Sequence, residues 1–152
     1  MRLLDFLRPE AVLPDLAGRS PPEVLAALCR PVAQQHGLDP GRLLQTLLDR
    51  EKLGSTSVGD GVAIPHGRLA GLPALAAVFG RAPAGVEFRA VDGKPVRLFL
   101  ALFAPENEAG LYVKVLARVS RLFRSPGFRE AVLAAPDAPA ILRLIEAEDA
   151  RE

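Results

Sequence analysis

The run Val96 to Phe103, VRLFLALF, constrains the fold more than any other part of the chain. Side chains alternate between the two faces of a strand, and here nearly every position on both faces is apolar. Such a strand is stable only when both sheet faces are covered, which predicts a central strand with helices packed above and below. A second strand is predicted at Ala74 to Gly80, ALAAVFG. Between them Asp92-Gly93, set between Glu87-Phe88 and Pro95-Val96, carries the signature of a tight turn.

Helical patterns flank this strand region. Ser20-Pro21-Pro22-Glu23 is a helix start, with Ser at the N-cap, Pro at the first helical position and Glu at the third. Val24, Leu25, Leu28 and Val32 then recur at helical spacing, and Gly37 after His36 suits the left-handed position that closes a helix. Pro31 inside this run is expected to kink or strain it. Asp39-Pro40 opens a second helix with Leu43, Leu44, Leu47 and Leu48 on its apolar face. The first 50 or so residues read as helical throughout. From Glu108 onward helices return: Leu111, Val115, Arg118, Val119 and Leu122 share a face, Pro126-Gly127 breaks the run, and GFREAVLAA and APAILRLIEAE follow as two shorter helices. The expected order is helices, strands, helices, folded as an α/β sandwich with helices on both faces of one sheet.

Composition narrows the function. With 19 basic and 18 acidic side chains the formal charge is +1, which supplies no field for nucleic acid. One Tyr and no Trp leave no stacking platform for bases. The single cysteine, Cys29, excludes an internal disulfide framework and a multi-cysteine metal site, and is read as a small buried side chain. The N-terminal MRLLDFLRPE lacks the apolar core of a signal peptide, and the apolar run from Leu98 to Pro105 is too short to span a bilayer. One domain over residues 1–152, in the cytoplasm and without membrane insertion, is the expectation. Oligomeric state has no signature in the sequence.

The candidate chemistry lies in VGDGVAIPHGR, Val58 to Arg68. Gly59, Gly61 and Gly67 permit close approach of an anion to backbone amides. Pro65 stiffens the backbone entering His66, and Ile64 before it is held extended. The result is a rigidly aimed imidazole, one nitrogen free to react while a backbone carbonyl holds the other. Arg68, or Arg50 at the end of the second helix, would supply the forked donor that suits a phosphoryl group. The residues alone leave this open against a loop histidine without a role. A metal site is disfavoured, since neither a second nearby His nor a Cys stands at ligand spacing.

Asp49 to Leu69, DREKLGSTSVGDGVAIPHGRL, resembles the phosphorylation-site segment of the fructose/mannitol-type IIA domains of the bacterial phosphoenolpyruvate-dependent sugar phosphotransferase system, and in particular their nitrogen-regulatory branch. The likeness extends to RPEAVLPDLAGRSPPEVLAAL and GVEFRAVDGKPVRLFLALFAPEN. It implies a mixed β-sheet flanked by helices on both faces, the phosphotransferase/anion-transport-protein-like sandwich. His66 would be the phosphoacceptor, a transient phosphohistidine loaded by the phosphocarrier HPr, with Arg50 stabilising phosphate charge. Ser55 and Thr56 match the hydroxyl pair of the motif and would bond the loop or the phosphate. No metal, nucleotide or other cofactor is required by that chemistry. Partners would be HPr and a IIB domain or regulatory target proteins, and the absence of a fused IIB or IIC segment in this sequence favours a regulatory role. The family's second active-site histidine falls on Tyr112, which can donate a hydrogen bond but cannot become a cation near neutral pH. That departure motivates an alternative: a fold-retaining, protein-binding module with weak or lost phosphotransfer.

Of the remaining polar residues, His36 is expected to face the last carbonyls of its helix, Asp60 to form a turn, and Arg81 to sit on the site rim at a strand end. Arg118, Arg121 and Arg124 are expected to form a solvated face. Glu51 is left open between orienting Arg50 and being solvated.

Overall fold

The computed structural model describes residues 1–151. After a 3-10 turn at Leu3–Asp5 come strand β1 (Leu7–Leu13), helices α1 (Pro21–His36) and α2 (Pro40–Glu51), strands β2 (Ser57–Gly59), β3 (Val62–Ala63), β4 (His66–Leu69), β5 (Ala76–Val86) and β6 (Val96–Pro105), and helices α3 (Ala109–Leu122), α4 (Pro126–Ala134) and α5 (Ala138–Asp149). The sheet is mixed, in the order β1-β5-β6-β3-β2, with β4 also paired to β6. β5 lies antiparallel to β6 on one side. On the other, β3 and β4 run end to end parallel to it, separated only by Ile64 and Pro65.

The apolar run of β6 is central, as its composition requires. Leu98 through Ala104 are all buried. Neighbouring residues of β5 show the two covering layers. Phe79 stacks on Phe123 at the end of α3, with ring centroids 6.5 Å apart. The next residue, Gly80, faces Leu16 and Leu28 of the α1 side so closely that a Cβ there would lie 2.8 Å from Leu16. Helices thus cover both faces. Among the described residues no helix is long and apolar enough to cross a membrane.

The helix ends follow their local chemistry. The Ser20 hydroxyl accepts the Glu23 amide and donates to the Glu23 carboxylate, and Gly37 closes α1 at φ +64°. α1 continues through Pro31 as one element, so Pro31 removes one amide without dividing the helix.

Three expectations are corrected. The first 50 residues are not all helical, because Leu7–Leu13 forms edge strand β1, parallel to β5. Arg8, Pro9 and Glu10 are exposed, and the register shifts between Leu7 and Val12. A proline is tolerated on such an edge, and the irregular register hides the alternation that marks a strand. Arg81 is not on a site rim. It is buried, and its guanidinium donates to the carbonyls of Pro14, Val132, Leu133 and Ala135, capping the end of α4. Arg118 leaves the solvated face and pairs with the buried carboxylate of Asp149, which also accepts the Leu3 amide. That pair ties α3, α5 and the N-terminal turn together.

Candidate functional site

His66 opens β4, in register with Leu102 of β6. Its position is therefore set by pairing with a strand buried along nearly its whole length. Leu102 donates its amide to the Pro65 carbonyl at 2.9 Å, so the sheet ladder continues through the proline that precedes the histidine. Parallel β4 brings α2 alongside, and Gly67 is where the two touch. A Cβ at Gly67 would lie 2.4 Å from Cγ2 of Thr46. Only glycine lets α2 come close enough to place its last turn, and Arg50, beside the imidazole.

Both ring nitrogens are engaged. Nδ1 lies 2.7 Å from the Ile64 carbonyl, and Nε2 lies 3.2 Å from Nε of Arg50. A carbonyl only accepts and a guanidinium only donates. The proton must then sit on Nδ1, leaving the Nε2 lone pair toward the cleft. Burial lowers the pKa of His66 below its ordinary value, opposed by the Ile64 bond; Arg50 lowers it further and Glu51 raises it. The neutral, nucleophilic ring is thereby favoured near neutral pH.

The ring forms one wall of a cleft of about 650 Å³. Arg50, Thr46 and Asp49 of α2, Gly67 and Arg68 of β4, Glu106 after β6 and Tyr112 of α3 line it. Arg50 is held by its Nη1 bond to the Gly54 carbonyl, 2.9 Å. Tyr112 stands in the first turn of α3, its ring edge-on to the imidazole with centroids 5.7 Å apart. Burial pushes the Tyr112 phenol up to about 12, against the pull of Arg68 and Arg50, so it remains an O–H donor at neutral pH.

The residues expected at the site thus divide. His66, Arg50 and Tyr112 converge on the cleft, with Arg68 beside them. Ser55 and Thr56 lie behind it. Ser55 Oγ donates to the Phe88 carbonyl at 3.0 Å and accepts the Ser57 amide at 3.1 Å. Thr56 Oγ1 is buried without a hydrogen-bond partner. Gly59 and Gly61 do not cradle an anion at the histidine. With Asp60 at φ +57° they make the β2–β3 turn, where the Asp60 amide donates to Asp92. Glu106, Asp49 and Thr46 line the cleft with no motif in the sequence that marks them. The one signal for Glu106 was its place just past the carboxyl end of the central strand, where α/β sheets present their sites. Among the described residues, no group of three or more His, Cys, Asp or Glu side chains is placed to hold a metal ion.

The family model described as phosphoenolpyruvate-dependent sugar phosphotransferase system, EIIA 2, matches residues 5–148. The chain belongs to that family. This IIA protein is 39% identical over 145 residues to a nitrogen regulatory protein of Bradyrhizobium diazoefficiens, covering 95% of each chain. The crystal structure of nitrogen regulatory protein IIA-Ntr from Neisseria meningitidis is 32% identical and superposes with a TM-score of 0.88, over 93% of this chain and 97% of that one. Enzyme IIAMTL of Escherichia coli, solved in complex with phosphorylated enzyme IIBMTL, shares the fold at 20% identity, with a TM-score of 0.77 over 93% and 99% of the two chains.

Proposed function

We propose that this IIA protein is a cytoplasmic phosphohistidine relay of the nitrogen-regulatory type, in which Nε2 of His66 accepts a phosphoryl group from HPr. The observation that carries this is the pairing of the two ring nitrogens: Nδ1–H on the Ile64 carbonyl and the Nε2 lone pair under the guanidinium of Arg50. Phosphoryl transfer asks for positioning and for charge stabilisation, and little else. A ring held from behind supplies the first. Arg50 supplies the second by moving its N–H from nitrogen to a phosphoryl oxygen as phosphorus approaches, with Arg68 in the same cleft and the protonated Tyr112 phenol as a further donor. The new N–P bond forms as the bond from phosphorus to the carrier's imidazole breaks, and the carrier's nitrogen keeps the electron pair. The resulting phosphohistidine passes its group to a IIB domain or reports to a regulated protein.

The test is incubation with phosphoenolpyruvate, the first enzyme of the system and HPr, followed by intact-mass measurement. Wild type gains one acid-labile phosphoryl group, about 80 Da. His66→Ala gains none. Labelling of the alanine variant would overturn the assignment.

A further inference from the structure

Glu51 ends α2 beside Arg50, yet its side chain bonds to the loop leading to the histidine and is not among the residues that line the cleft. Its Oε1 accepts the Thr56 amide at 3.1 Å. The Thr56 carbonyl accepts the Ile64 amide at 3.0 Å. The Ile64 carbonyl in turn accepts the Nδ1 proton of His66 at 2.7 Å. Three hydrogen bonds therefore run from this carboxylate to the back of the imidazole through the backbones of two residues. The second oxygen, Oε2, is buried and has no hydrogen-bond partner. A neutral amide would accept the Thr56 N–H equally well, and a charged oxygen costs more to bury than an amide does. The negative charge itself is what requires a role.

The bookkeeping of transfer identifies one. When the Nε2 lone pair forms the bond to phosphorus while Nδ1 retains its proton, the ring becomes an imidazolium. That form is the better leaving group when the phosphoryl moves on, because the ring departs as a neutral imidazole. We propose that Glu51 is a positioning residue for His66: through Thr56 it sets the Ile64 carbonyl that fixes the ring, and its negative charge keeps the Nδ1 proton in place through phosphorylation and release. This rests on His66 being the phosphoacceptor. The other charged or titratable groups around the ring are Arg50 and Asp49 of α2, Arg68 of β4, Glu106 after β6 and Tyr112 of α3. They lie on the cleft side, where the phosphoryl arrives. Glu51 acts from behind.

The experiment needs no phosphoryl donor for its first half. In the full chain labelled with nitrogen-15, ring spectra report the tautomer of His66 and its titration. Glu51→Gln keeps an acceptor for the Thr56 amide, so the Nδ1–H tautomer persists while the titration midpoint falls. Glu51→Ala also loses the acceptor, and the ring divides between tautomers. In the second half, phosphorylated Glu51→Gln loses its phosphoryl group on the order of tenfold more slowly at neutral pH, since removing a nearby countercharge lowers the protonated fraction of the ring. Wild-type tautomer and midpoint in Glu51→Gln and Glu51→Ala would overturn the proposal whether or not His66 is phosphorylated. A wild-type rate of loss in Glu51→Gln would overturn it too. The mass test on His66→Ala decides the phosphoacceptor assignment separately.

Discussion

Gly67→Ala tests the link between the sheet and the chemistry. The φ of Gly67 lies outside the left-handed region, so alanine brings no backbone strain. What it brings is one methyl group 2.4 Å from Thr46 Cγ2. Carbon atoms settle at about 3.5–4.0 Å, so more than about 1 Å has to be found. Rotating Thr46 would forfeit the bond from its hydroxyl to the Arg42 carbonyl, 2.9 Å. The alternative is outward movement of α2. Arg50 follows Thr46 by four residues, on the same side of the helix, and would be carried off with it, lengthening the 3.2 Å contact to His66. Overpacking of this kind costs about 1–3 kcal/mol, and a 1 Å misplacement of a positioning group costs about 10²-fold in rate. The assay is the rate of phosphorylation by HPr alongside a thermal melt. Gly67→Ala is expected to be slowed about 10²-fold and to melt several degrees lower. Thr46→Ser combined with Gly67→Ala removes the clashing methyl but keeps the hydroxyl, and should recover most of both losses. A single variant with wild-type rate and melting temperature, or a double variant without recovery, would refute the reasoning.

Tyr112→His is expected to speed phosphorylation, since it adds a group that can carry positive charge beside His66, whereas Tyr112→Phe should slow it by removing the O–H donor; stopped-time mass measurements read both. Arg81→Met strands the carbonyls at the end of α4 and is expected to destabilise the protein by about 3 kcal/mol, roughly 6–12 °C in melting temperature, with phosphorylation unchanged below the transition. Because burial lowers the pKa of His66, the unfolded chain binds the ring proton at a higher pH than the folded one does. Stability should accordingly fall as pH drops below about 6.5 toward the lowered folded value, where the loss is complete. Urea unfolding across that range should show wild type losing more stability than His66→Asn. Over the upper part of the same range the phosphorylation rate should hold, because the folded ring stays neutral.

What could be read from the sequence was whatever depends on neighbours in the chain. The double-sided apolarity of β6 announced a covered central strand, and the caps at Ser20 and Gly37 marked the ends of α1. The stiff Pro65-His66-Gly67 run announced a mounted histidine, and its resemblance to the IIA motif named Arg50 and Tyr112 as its company. What stayed hidden depends on distant pairing. Edge strand β1 has meaning only beside β5, and its irregular register hides the alternation that would separate it from the helical run. Arg81 reads as a functional loop residue until α4, about 50 residues later, supplies carbonyls for it to cap. Arg118 reads as solvated until α5 delivers Asp149. Gly67 reads as a backbone open to an anion, and its missing Cβ in fact admits Thr46 of the neighbouring helix.

The contact between Arg50 and His66 also bears on chemical selectivity. At rest, the lone pair that would attack is already covered by an N–H. A neutral electrophile reaching the cleft offers the guanidinium nothing better than the nitrogen it covers, and finds the ring blunted. An electrophile bearing anionic oxygens draws the guanidinium onto itself and exposes the nitrogen by the same movement. If His66 is the phosphoacceptor proposed above, the imidazole would be discriminating before any protein surface has docked: its reactivity would be switched on by the charge of the incoming group, so that stray alkylating or acylating agents are disfavoured relative to a phosphoryl group.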